Sequence, residues 1–187
     1  MDDQLLLTGV GLAILAAAVV AWLLARRQRS ARLREHFGPE YEQTVGELGD
    51  RRRAEAELRE RRERVDRLKI VPLSRQDAQG LSLRWQAVQA RFVDDPTDAM
   101  REANSLLNDT MRQRGYPIDN FEQRAADVSV DHPQVVSNYR DARAIAVKNE
   151  SGQASTEDLR QAIVHYRALF ADLLEDSSGE RSGRIAG

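Results

Sequence analysis

STEDLRQAIVHYRALFADLL, residues 155–174, decides the fold class of this chain. Its apolar residues Leu159, Ile163, Tyr166, Phe170, Leu173 and Leu174 recur at i, i+4, i+7, i+11, i+14 and i+15, the stripe that a 3.6-residue period lays along one face of a helix. Ser155 with Asp158 is the start signal, because a serine oxygen ahead of the first turn accepts a backbone N–H that has no partner inside the helix. The same grammar recurs upstream. Ser74 with Asp77 opens a helix carrying Leu81, Trp85, Val88 and Phe92. Asp95 with Pro96 opens one carrying Met100, Ala103, Leu107 and Met111, which Gly115 and Pro117 close. Asp119 with Glu122 is the capping pattern for a short helix bearing Phe121, Ala125 and Val128. Asp131, ahead of His132-Pro133, opens another with Val135, Tyr139, Ala142 and Ala146 on one face, and residues 149–155 form a loop. No segment alternates with period two over the length of a strand. The expectation is therefore an all-α protein in which residues 74–176 form a small C-terminal helical bundle. Trp85, Phe92, Phe121, Tyr139, Tyr166 and Phe170 are its core anchors, and residues 177–187, SSGERSGRIAG, read as a disordered tail.

Upstream of the bundle the pattern changes to charge. Residues 51–69, RRRAEAELRERRERVDRLK, hold nine basic and five acidic side chains. Glu55 with Arg59, Glu57 with Arg61, Glu60 with Arg64 and Glu63 with Arg67 are all spaced i,i+4 with the acid first, the better orientation for ion pairs along a helix. Apolar positions are sparse (Val45, Leu48, Ala54, Leu58, Val65 and Leu68), and Arg51 and Arg61 interrupt the heptad seam they would form. Residues 39–70, opened by Pro39, are thus expected to form one nearly continuous, coiled-coil-like charged stalk with at most weak self-association. Gly46 and Gly49 are its weakest points.

The N-terminal stretch differs again. Residues 5–24, LLLTGVGLAILAAAVVAWLL, contain no charge and no proline. Twenty such residues rise about 30 Å as a helix, the thickness of a bilayer's hydrocarbon core, so a transmembrane helix is expected. Trp22 suits the interface at one end. Asp2 and Asp3 precede the stretch, whereas Arg26, Arg27, Arg29, Arg32 and Arg34 crowd the juxtamembrane segment, residues 25–38. The positive-inside rule then places the N-terminus outside and the C-terminal domain in the cytoplasm, with these arginines and Trp22 setting topology and touching lipid headgroups. Export after cleavage of a signal peptide is the alternative, favoured by the small residues Ala16, Ala17, Ala18 and Ala21 but opposed by an acidic rather than basic leader.

Composition narrows the chemistry. The 187 residues include no cysteine, which removes thiolate metal sites and cysteine nucleophiles, and 28 basic side chains nearly balance 30 acidic ones. His36, His132 and His165 have no metal-ligand partner at helical spacing. No phosphate-cradling glycine loop, nucleophile elbow or zincin motif occurs, so no catalytic, cofactor-binding or metal residue is assigned. The one enzyme-like feature is the acidic group Asp94, Asp95 and Asp98 with Glu102, and a membrane-tethered enzyme using it is the alternative to an interaction protein. Its acids at the start of a helix already have a duty in capping. A membrane-tethered nucleic-acid binder is a further alternative, unfavoured because residues 51–69 interleave acids with the arginines and offer no aromatic for base stacking. The expected partners are membrane lipid, a protein, and weakly a second copy through the stalk.

Arg84-Trp85-Gln86-Ala87-Val88-Gln89-Ala90-Arg91-Phe92-Val93-Asp94-Asp95-Pro96, followed by Gly115-Tyr116-Pro117 and by Phe121-Glu122-Gln123-Arg124-Ala125-Ala126, resembles a group of bacterial membrane-anchored or nominally secreted proteins of uncharacterised activity. The likeness runs from the stalk to Asp176. It implies a bacterial origin and a shared helical domain, and it carries over no catalytic residue.

Overall fold

The computed structural model describes residues 2–175, with side chains described at Leu15 and from Ala17 onward. Eight helices make up the described residues: α1 (Asp2–Phe37), α2 (Pro39–Leu48), α3 (Arg51–Asp66), α4 (Arg75–Arg91), α5 (Pro96–Arg114), α6 (Phe121–Asp131), α7 (Val136–Glu150) and α8 (Thr156–Glu175). No strand occurs among the described residues, so the protein is all-helical there.

Local capping chemistry sets most of the boundaries. The Ser74 hydroxyl accepts the Asp77 N–H at 3.0 Å, Asp95 accepts the Asp98 N–H at 3.0 Å, and Ser155 accepts the Asp158 N–H at 3.1 Å. Two expected starts are corrected. Helix α6 is capped by Asn120, whose side chain accepts the Gln123 N–H at 3.2 Å, one residue after the expected Asp119. Asp131 does not open α7. It ends α6 and accepts the Tyr116 hydroxyl at 2.6 Å, while α7 starts after Val135 with no side-chain cap.

Helices α4 to α8 enclose the main core, α6 through Ala125 and Val128. The expected anchors Trp85, Tyr139, Tyr166 and Phe170 are buried in it, and Phe92 and Phe121 pack against its margin. Trp85 on α4 stacks on Phe170 of α8 with ring centroids 5.0 Å apart, and Phe121 meets Tyr139 at 4.8 Å. Gly115 ends α5 in the left-handed region, φ 97°, where a side chain would be strained. A Cβ there would also lie 2.4 Å from the Lys69 carbonyl oxygen. The Val71 N–H bonds to the Arg114 carbonyl at 2.9 Å, so the chain leaving α3 is laid against the end of α5.

The expected continuous stalk is corrected. Gly49 adopts φ 64° and its N–H closes on the Val45 carbonyl at 2.9 Å, which terminates α2; Asp50 then caps α3 through the Arg52 and Arg53 N–H groups at 2.6 and 3.2 Å. The 39–70 region is a two-helix hairpin packed on α1 and α6 instead of one continuous rod. Its seam is a second apolar cluster formed by Leu33, Phe37, Tyr41, Leu58, Val65 and Val130, in which Val130 belongs to α6. Residues 25–37 of the juxtamembrane segment lie on α1, which runs to Phe37.

Among the described residues no helix is long and apolar enough to cross a membrane. Most of the expected transmembrane stretch, residues 5–14 and 16, lies outside the residues whose side chains are described, as does the expected tail, residues 177–187.

Candidate functional site

Helix α1 carries the residues expected at a membrane surface. Residues 17–24 are all exposed along it, Trp22 by 60%, and the Arg26 guanidinium lies over the Trp22 ring, 5.6 Å from its centroid. Arg27, Arg29 and Arg32 are exposed as well. Arg34 has another duty. Its Nε donates to Glu42 at 2.7 Å and its guanidinium covers the Tyr41 ring at 5.7 Å, so it fastens α2 to α1.

Next to these residues the hairpin is locked by polar contacts that join α2 to α3. The Tyr41 hydroxyl donates to Glu55 at 2.9 Å, and Arg51 Nε lies 2.9 Å from Glu55 and 3.0 Å from the Tyr41 oxygen. Burial works to raise the Glu55 pKa, but hydrogen bonds from Ser30, Arg51 and Tyr41 outweigh it and hold the carboxyl below its ordinary value. A carboxyl whose pKa is lower folded than unfolded adds stability above its unfolded pKa and loses it as pH falls through the folded one. The α1–α2–α3 junction is thus expected to loosen as pH drops below about 4.5, the ordinary value for this carboxyl. Hydrogen exchange of the Tyr41 region against pH measures this, and Glu55→Gln should remove that pH dependence; an unchanged profile would refute the assignment.

A second cluster joins the hairpin to the bundle. Glu40, buried, accepts Arg61 Nη1 at 2.7 Å and receives Arg140 of α7 through Nη1 at 2.7 Å and Nη2 at 2.8 Å. Arg64 donates to Asp127 of α6 at 2.7 Å. Of the expected ion pairs along α3, Glu57–Arg61 stands at 2.9 Å and Glu55–Arg59 at 3.8 Å, whereas Arg64 is taken by α6.

The third cluster surrounds His132, which is buried at the end of α6. Its Nδ1 lies 2.5 Å from Asp172 and its Nε2 3.2 Å from Arg114 Nη1, and the same Arg114 nitrogen donates to the Leu173 carbonyl at 3.1 Å. A guanidinium can only donate, so Nε2 accepts and Nδ1 carries the proton given to Asp172. That tautomer resembles the oriented base of a hydrolase, but its free lone pair is committed to an arginine and the ring is closed to solvent. The arrangement ties α5, α6 and α8 together. His165 faces the Asn138 oxygen at 3.0 Å on the bundle surface, and His36 packs edge-on against Phe37, 4.9 Å between ring centroids.

Three of the four acids at 94–102 are likewise engaged. Asp95 caps α5, Asp98 pairs with Arg101, and Glu102 pairs with Arg91 at 3.0 Å. Among the described residues no group of three or more histidines and carboxylates is placed to hold a metal ion. The clusters at Glu40, Glu55 and His132 escape a sequence reading because the bonds that join their helices span 14 to 100 residues of chain; the one local signal was arginine standing on an otherwise apolar seam.

Compared with models of protein families, with curated proteins and with solved structures, the chain matches none of them.

Proposed function

We propose that this chain is a single-pass membrane-anchored interaction protein, with residues 5–24 in the bilayer, the N-terminus outside and the helical bundle presented as a scaffolding surface on the cytoplasmic side. The observation that carries this reading is the run of residues 17–24, AAVVAWLL, all left uncovered on α1 and continuing an uncharged sequence that begins at Leu5. Such a surface is stable in lipid and costly in water. Arg26, Arg27, Arg29 and Arg32 follow at once and fix the inward end. The hairpin then holds the bundle near the headgroups. An interaction role is favoured over catalysis because Asp95 is engaged in a helix cap, Asp98 in an ion pair with Arg101, and His132 in interhelical bonds. The alternative, a membrane-tethered enzyme built on Asp94, Asp95 and Asp98, is less supported because Asp95 caps α5 and Asp98 pairs with Arg101.

A fusion of alkaline phosphatase after residue 187 tests the topology. The reporter works only outside the cytoplasm, so it should be inactive in cells, and the fused chain should stay in membranes washed with alkaline carbonate. An active reporter would reverse the orientation, and release by carbonate would remove the anchor.

A further inference from the structure

The hairpin turn at Gly49-Asp50 brings the start of α3 back alongside α1, and the two helices enclose a cleft. It has a volume of about 370 Å³ and is lined by Trp22, Arg26, Arg29, Arg52, Glu55 and Arg59. A second hollow of about 230 Å³ adjoins it and shares Arg26, Arg52 and Glu55, with Leu23, Arg27 and Arg51 on its far side. The charges do not balance. Glu55 is the only acid in either wall, and it is already bonded to Arg51 and Tyr41 at 2.9 Å each. Among the described residues Arg26, Arg29 and Arg52 form no ion pair, and Arg59 reaches Glu55 only at 3.8 Å.

We propose that this cleft binds the phosphate of an anionic phospholipid headgroup, with Arg26, Arg29, Arg52 and Arg59 as its hydrogen-bond donors. The inference rests on the membrane reading and sharpens it, because it replaces a diffuse collar on one helix with a walled site built by two. Several guanidiniums facing one hollow repel one another until an anion enters, and their planar forks match phosphate oxygens in pairs. A zwitterionic headgroup also carries phosphate, but it leaves the surplus positive charge uncompensated; a net anion compensates it. Phosphate from solution offers the same oxygens. Lipid is favoured by the position of Trp22 and Leu23, which belong to the last apolar turn of the span and set the cleft at headgroup depth, with an apolar wall for the glycerol and upper acyl chain. The tip of the hairpin agrees with that depth, since Leu48 is exposed there beside Arg51, Arg52 and Arg53.

The test uses the full chain in nanodiscs of equal phosphatidylglycerol and phosphatidylcholine, followed by gentle detergent extraction and mass spectrometry of the lipid that stays bound. The native chain should retain phosphatidylglycerol over phosphatidylcholine. Arg52→Gln with Arg59→Gln should lower that enrichment about tenfold or more, from the loss of two of the four guanidiniums that face the phosphate. Arg62→Gln with Arg67→Gln removes the same charge from the same helix region, away from the cleft and the hairpin tip, and should leave the enrichment within about twofold. Both pairs are exposed, and helical content by circular dichroism checks that each variant is folded. Equal retention of the two lipids, or equal loss in the two double variants, would overturn the walled site. Displacement of the bound lipid by millimolar inorganic phosphate would overturn the lipid as its occupant in favour of a soluble anion. Carbonate extraction of the same membranes reports separately: a chain released by carbonate fails the anchor reading, whereas a chain that stays but shows no enrichment fails only the cleft.

Discussion

Glu40→Ala should destabilise the protein by about 3–5 kcal/mol, the range for removing one partner of a buried ion pair. The Glu40 side chain is 1% exposed and satisfies two arginines at once, Arg61 from within the hairpin and Arg140 from α7. Its removal leaves two guanidiniums facing each other, one of them only 9% exposed, with no carboxylate between them. Glu40→Gln keeps the shape and an acceptor but not the charge, and should fall between alanine and the native residue. Replacing Glu40, Arg61 and Arg140 together by leucine and methionine should recover much of the loss, since apolar side chains of similar volume often match a buried ionic group. Denaturant unfolding gives the total, and hydrogen exchange gives the place: α2 and α3 should lose protection before α8 does. A cost under about 1 kcal/mol would show that Glu40 is hydrated and that the hairpin is held by its apolar seam alone.

The expected and observed folds part company at this hairpin, and the reason is the range over which each signal acts. Ser74, Asp95 and Ser155 announce their helices because a cap bonds to an N–H three residues away, so the whole interaction is written in four adjacent positions. The bundle's aromatic anchors were legible in the same way, through spacing along single helices. The hairpin is decided differently. Arg61 forms the i,i+4 bond to Glu57 that its spacing promises, and with another nitrogen it also reaches Glu40, 21 residues earlier. Arg140 meets Glu40 across 100 residues of chain. Read along one helix, Arg51 and Arg61 look like faults in a coiled-coil seam. In the fold they are the residues that choose a partner for it, Arg51 closing on Tyr41 and Glu55, and Arg61 on Glu40. The turn itself had a local mark. Gly49 was a weak point in the expected rod because glycine costs about 1 kcal/mol in a helix interior, and the same freedom lets it take φ 64° and reverse the chain. The cleft between α1 and α3 follows from that reversal, so Arg52 and Arg59 could not be grouped with Arg26 and Arg29 from their order in the sequence.

Trp85→Ala is expected to cost about 3–5 kcal/mol, as for other truncations of large aromatic side chains in a packed core. Trp85 is 5% exposed and lies between α4 and α8, its ring nearly parallel to that of Phe170 at an interplanar angle of 21°. Truncation forfeits both the stacking and the apolar area, and the neighbours Leu81 and Val88 are held on the same helix face and cannot close the gap. Trp85→Phe should cost much less. It keeps a ring against Phe170 and removes an indole N–H that has no hydrogen-bond partner among the described residues. Because Trp85 sits in the main core and Glu40 in the polar contact between hairpin and bundle, the two alanine substitutions share no partner and their costs should add to within about 0.5 kcal/mol. A sum well short of that would mean that the first substitution had already freed the hairpin from the bundle, so that the two parts unfold in separate steps. Unfolding of the Glu40→Ala variant, with Trp22→Phe so that Trp85 alone emits, followed by tryptophan emission and by far-ultraviolet circular dichroism separates the cases: coincident curves belong to one cooperative unit, and a circular dichroism transition that begins before the Trp85 signal moves belongs to a hairpin that opens first.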